Sequence, residues 1–118
     1  MRKPKKDSNT LVSYSDETLR KRLILLLSSR NEPLSISDIL FELGLDRAWE
    51  KEIYRALSHV AKTIWRSSGG KQMLYMVPPS CRNCGYVFKD LDKPRKPSKC
   101  PKCHGQRVDE PKFIILER

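Results

Sequence analysis

Residues 81–105 read CRNCGYVFKDLDKPRKPSKCPKCHG and contain every cysteine of the chain. Cys81, Cys84, Cys100 and Cys103 stand in the spacing C-x2-C-x15-C-x2-C. A two-residue gap lets the chain turn so that both sulfurs of a pair face one point. Two such knuckles supply the four soft ligands of a tetrahedral zinc site. Glycine directly after a pair eases the turn, because it accepts positive φ. Gly85 follows Cys84, but His104 follows Cys103 and Gly105 comes one later, so the second knuckle departs from the usual form. Four protein thiolates leave no position for water or substrate, so the expected metal is structural. Redox C-x-x-C pairs come singly, at a helix start after a strand. Here both pairs sit amid Pro, Lys and Gly. Iron is the alternative metal, and it would make the site an electron carrier.

An apolar, β-prone run stands on each side of the cysteines: KQMLYMV at 71–77 and KFIILE at 112–117. They are expected to pair antiparallel, residues near Met73–Met76 against residues near Phe113–Leu116, with the cysteine segment inserted between them. Alternation sets Met73, Tyr75 and Val77 on one side, and likewise Phe113 and Ile115. Leu34-Ser35 is the candidate for a small third strand. In the alternative arrangement the cysteine unit is tethered C-terminally, with its own sheet built from YVFK and FIILE.

The preceding segment predicts three helices. The first runs from about Asp16 to Ser29, with Ser15 as N-cap and Leu19, Leu23, Leu26 and Leu27 at helical spacing. Pro33 stands beyond its end. The second covers Ile36 to Leu43, with a Ser35–Asp38 capping box and Gly44 as its stop. The third starts near Arg47 after an Asp46 cap and runs to about Arg66. A short helix, a glycine-bearing turn and a longer helix outline a helix-turn-helix.

On a helical wheel the third helix has two faces. Trp49, Ile53, Ala56, Leu57, Val60, Ala61 and Ile64 make the core side. Arg47, Lys51, Arg55, Ser58, Lys62 and Arg66 make an opposite cationic side with no acid in it. A helix of this kind fits the DNA major groove. Arg47, Lys51 and Arg55 are the candidates for base or near-base contact, Lys62 and Arg66 for phosphate. Trp65 is expected at a domain seam, and His59 on the surface.

The chain has 118 residues and a net charge of +10. The charge divides as +3 in residues 1–13, +1 in 14–70 and +6 in 71–118. Such a balance favours polyanion partners. The loop between the knuckles carries Lys89, Lys93, Arg95, Lys96 and Lys99, beside Lys102. Of these, Lys93, Arg95 and Lys96 are the leading candidates for DNA contact. Residues 1–13 are expected to form a basic disordered tail.

CRNCGY followed by CPKC resembles the paired knuckles of rubredoxins and zinc ribbons. Placed after a helix-turn-helix, within VPPSCRNCGYVF…KPSKCPKC…EPKFII, it is similar to an archaeal family of predicted transcriptional regulators. That family fuses a winged helix-turn-helix to a rubredoxin-like zinc ribbon. The resemblance covers roughly residues 15–118. It implies a mainly α fold with a small β part: a winged helix-turn-helix over 14–80 plus 111–118, and a ribbon over 81–110, inserted in or following the wing. It also implies double-stranded DNA as partner and transcription control as function. RNA, or RNA polymerase through a protein-interaction role, is the alternative partner.

The longest apolar run, Leu23 to Leu27, is far below a membrane-spanning length, and no export signal follows the basic N-terminus. A cytoplasmic location is expected, which disfavours disulfides. No paired carboxylates, nucleophile constellation or phosphate-cradling glycine loop points to an enzyme.

Overall fold

A computed structural model describes residues 15–89, 91 and 94–118 of the chain. The expected tail over 1–13 and Lys93 lie outside the described residues. Helix α1 spans Asp16–Ser28, strand β1 Leu34–Ser35, helix α2 Ile36–Leu43 and helix α3 Glu50–Ser67. Strand β2 spans Gln72–Val77 and β3 spans Lys112–Glu117. The result is a mainly helical domain with a small, open, three-stranded antiparallel sheet in the order β1-β3-β2.

The local signals behind these elements are satisfied in detail. The Ser15 hydroxyl accepts from the Thr18 N–H at the start of α1. At α2 the capping box is complete: Ser35 Oγ accepts from the Asp38 N–H, and Asp38 Oδ2 accepts from the Ser35 N–H, both at 3.1 Å. Gly44 ends α2 at φ 70, and the Leu45 N–H reaches back to the Leu40 carbonyl at 2.9 Å. The third helix begins differently from expectation. Residues Arg47–Trp49 form a 3-10 turn capped by Asp46, whose Oδ1 accepts from the Ala48 N–H, and α-helical geometry starts at Glu50. This tight turn lets Trp49 enter the core directly from the cap.

Leu23 and Leu27 of α1, Ile36 and Ile39 of α2, and Ile53, Leu57 and Val60 of α3 are fully enclosed. Phe113 of β3 joins the same cluster. Pairing of β2 with β3 follows the expected register, Met73 opposite Leu116 and Met76 opposite Phe113. Leu34 pairs with Phe113 and Ser35 with Lys112, so the two-residue β1 is the third strand. The FIILE run therefore pairs with β2, and the tethered arrangement with a YVFK–FIILE sheet does not form.

The side-chain alternation corrects one expectation. Leu74 and Met76, with Phe113 and Ile115, pack on the helical core, whereas Tyr75 of the Met73–Tyr75–Val77 set is exposed. In this register Met76 and Leu74 lie directly opposite Phe113 and Ile115, so they share a face with them. Met73, Tyr75 and Val77 share the other face with Ile114 and Leu116. Residues 78–111, with all four cysteines, lie between β2 and β3. That segment is held by isolated bridges, Ser80 to Val87 and Cys81 to Val108.

Candidate metal centre and basic helix face

The cysteine segment folds into two knuckles with the same hydrogen bonds. In the first, the Gly85 N–H donates to the Cys81 carbonyl at 2.9 Å, and the Cys81 N–H donates to the Tyr86 carbonyl at 2.8 Å. In the second, the His104 N–H donates to the Cys100 carbonyl and the Cys100 N–H to the Gly105 carbonyl, both at 2.9 Å. His104 thus occupies the place of Gly85. It adopts φ 63 where Gly85 has φ 80, the only non-glycine left-handed residue among the described residues. The departure seen in the sequence is absorbed by backbone strain at His104, and the knuckle geometry is kept.

The four Sγ atoms all lie within 4.8 Å of one another. Cys81 and Cys103 approach to 3.5 Å, and Cys84 and Cys100 to 3.6 Å. Tetrahedral Zn–S bonds of about 2.3 Å place sulfurs roughly 3.8 Å apart, so the cluster has the right dimensions for such an ion. Cys81 and Cys100 are buried, Cys84 and Cys103 exposed.

The protonation balance points the same way. The Cys84 N–H lowers the Cys81 thiol below its usual range. Burial opposes ionisation of Cys100, yet the Cys103 and Lys102 N–H groups draw it down to about 7. The Gly105 N–H favours the Cys103 thiolate, but the crowding thiols of Cys81, Cys84 and Cys100 push Cys103 up to about 11. Backbone donors therefore favour negative sulfur at the first cysteine of each pair, while mutual repulsion resists ionising all four. A thiophilic dication at the centre removes that conflict. Cys81, Cys84, Cys100 and Cys103 together are a cluster consistent with a structural zinc, which would tie the two knuckles together.

Gly105 has a separate reason to lack a side chain. A Cβ there would stand 2.4 Å from Asn83 Nδ2 and 3.3 Å from Cys103 Sγ, and the Gly105 N–H donates to that sulfur at 3.4 Å.

On α3, Lys51, Arg55, Lys62 and Arg66 are all exposed, and none forms an ion pair among the described residues. Ser58 is half-buried, and its hydroxyl donates back to the Tyr54 carbonyl at 3.5 Å. Arg47, expected at the head of this face, is engaged elsewhere. Its Nη2 lies 2.9 Å from Glu110 Oε2 and 2.9 Å from Glu50 Oε1, and its Nη1 donates to Ser37 Oγ at 3.0 Å. Glu110 Oε1 in turn accepts from the Ser37 N–H at 3.0 Å and its hydroxyl at 2.9 Å. Burial alone would raise the Glu110 carboxyl, but Arg47 and Ser37 hold it below the usual range. Neither Ser37 nor Glu110 stands out in the sequence, because the partners that join them are distant in the chain.

Leu91 and Pro94 of the inter-knuckle loop share a cleft of about 780 Å³ with Tyr54, Arg55, Ser58 and Lys62. Lys96 lines a second cleft, with Arg47, and exposed Arg95 lines a third, with Tyr86 and Phe88. Trp65 is not at the seam with the cysteine unit. It lies at the far end of α3, with the Arg118 guanidinium 5.1 Å from its ring centroid. His59 is exposed. No helix among the described residues is long and apolar enough to cross a membrane.

Residues 18–74 match a family described as PF0610-like, N-terminal, and residues 78–118 match the PF0610 rubredoxin-like zinc beta-ribbon domain. Among solved structures, the chain is similar to the solution NMR structure of protein PF0610 from Pyrococcus furiosus. The TM-score is 0.66 at 27% identity, covering 94% of this chain and 100% of the other. None of the curated proteins matches the chain.

Proposed function

Since this chain belongs to the archaeal PF0610 family, joining an N-terminal domain to a rubredoxin-like zinc ribbon, we propose that it is a DNA-binding transcriptional regulator with α3 in the major groove. The observation that carries this reading is the row of four exposed, carboxylate-free cations on one side of α3: Lys51, Arg55, Lys62 and Arg66. Such cations keep their full charge for phosphate and base edges. The order α1-β1-α2-α3-β2-β3, with β1 at the edge beside β3, supports a winged helix-turn-helix. In that reading the β2–β3 hairpin is the wing and the ribbon is its extension. Zinc holds the ribbon together and does no chemistry on a substrate. Arg47 positions the start of α3 through Glu110 and leaves base contact to Lys51 and Arg55.

Selection of bound sequences from random duplex DNA, with metal content measured on the same sample, tests the reading. Lys62→Ala should weaken binding about equally for all sequences. Lys51→Ala or Arg55→Ala should also change sequence preference, by about 1–3 kcal/mol for a bidentate base contact. Unchanged affinity in all three variants removes α3 from the interface and favours a protein-binding role.

A further inference from the structure

A cleft of about 860 Å³ lies in the crease where the N-terminus of α2 and Arg47 meet the ribbon. Its lining holds five cations, Arg47, Arg82, Lys96, Arg107 and Lys112, against three acids, Asp38, Asp109 and Glu110. Every acid is already engaged. Glu110 takes Arg47, Asp109 takes Arg82, and Asp38 accepts from the Ser35 N–H in the capping box. Lys96, Arg107 and Lys112 are exposed and have no ion-pair partner among the described residues. These three come from three places: the inter-knuckle loop, the ribbon's return segment and the first residue of β3. The fold alone brings them together.

Lys96, Arg107 and Lys112 are like charges without ion-pair partners among the described residues, and the lining keeps an excess of cations, five against three acids. A polyanion with charges spaced a few ångströms apart would balance that excess, and Arg47 in the crease belongs to the turn that leads into α3. We propose that this crease seats the phosphate backbone of duplex DNA, held by Lys96, Arg107 and Lys112, so that the ribbon and the helical domain grip one duplex together. The inference rests on the DNA-binding reading. It goes beyond that reading by assigning Arg107 and Lys112, and by making the junction itself part of the interface.

The test uses the zinc-loaded full chain and a labelled random-sequence duplex, with affinity followed by fluorescence anisotropy over a salt series. The triple variant Lys96→Gln, Arg107→Gln and Lys112→Gln is compared with an equal-charge control, Lys21→Gln, Arg30→Gln and Lys71→Gln. Thermal unfolding and zinc content verify that both are folded. Each phosphate contact adds about 0.9 to the magnitude of the log–log salt slope. The crease variant should therefore lose up to about 2.7 from that slope, and the control close to none. An equal loss in both variants, or a wild-type slope in the crease variant, overturns the proposal. If Lys51→Gln with Arg55→Gln abolishes binding while the crease variant keeps its slope, the crease fails and the DNA reading stands. If the wild-type chain shows no salt-dependent binding to duplex, both fail together.

Discussion

Arg47 and Glu110, 63 residues apart in sequence, meet with Nη2 2.9 Å from Oε2. Their contact ties the entry to α3 to the segment that returns from the ribbon, and Ser37 closes the link at the start of α2. The pair is not a surface ornament. The Glu110 side chain is only 13% exposed and accepts three hydrogen bonds besides its ion pair partner's charge. A carboxylate so placed orders three elements at once.

Glu110→Gln should lower stability in urea unfolding by about 1.5–3 kcal/mol, the range for hydrogen bonds to charged groups. The pH dependence has a definite sign. The folded carboxyl is held below the usual range, so its contribution is complete above the unfolded value of about 4.3 and disappears as pH falls through the folded value. Between those values the unfolded chain binds more protons, and stability rises with pH. The Gln variant should lack this part of the slope; a pH profile identical to wild type would show that Arg47 and Ser37 do not bind the carboxylate in solution.

The left-handed positions of the two knuckles should respond in opposite directions. Gly85→Ala has free space around its new Cβ, so its cost is purely conformational, about 1–2 kcal/mol. His104→Gly relieves the same strain and should stabilise the ribbon by up to about 1 kcal/mol after the entropy cost of glycine. Unfolding of the zinc-loaded variants, monitored by loss of metal to a chromogenic chelator, gives both values. A destabilising His104→Gly would mean that the imidazole makes a contact worth more than the strain.

Metal content should be about one zinc per chain, bound at Zn–S distances of roughly 2.3 Å. Cys84→Ser should release it and disorder residues 81–105, while α1 to α3 keep their helical signal. Purified protein is expected to be colourless; a red ferric chromophore would mark iron as the occupant. Gly105→Ala should weaken retention of the metal without removing a ligand, because the new methyl group crowds Cys103 Sγ and Asn83.

Removing residues 112–118 should destabilise the helical domain, although they follow the ribbon in sequence. Phe113 is fully buried among the helices, and Phe113→Ala alone should cost about 3–5 kcal/mol. Amide exchange in the truncated chain reads this directly: unchanged protection across α1 to α3 would mean that β3 does not close the core.

The parts of this fold that could be read from sequence are those written in local chemistry. Ser35, Asp38 and Gly44 specify α2 within ten residues, and the cysteine spacing specifies the cluster because C-x-x-C turns are self-contained. The hairpin register was also legible, since two apolar runs of similar length leave little choice of pairing. Which face of β2 meets the core was not. Met73, Tyr75 and Val77 are as apolar as Leu74 and Met76, so alternation gave two sets without ranking them. The occupation of Arg47 was hidden for another reason. A helical wheel shows which residues share a face, but not that a carboxylate arrives from the far end of the chain. The left-handed His104 was legible as an anomaly, and only the hydrogen bonds of the knuckle show that the geometry is kept.

The placement of β3 between β1 and β2 has a consequence for biosynthesis. The strand that fills the centre of the sheet is separated from β2 by residues 78–111. At about 5–20 residues per second, a ribosome needs roughly 2–7 s to make that interval. Throughout it the inner surfaces of α1, α2 and α3 lack Phe113, while the second knuckle is completed before Phe113 is made. The nascent chain therefore has all four cysteines before it has its whole core, and a metal ion held by them would shorten the loop that the last strand must close.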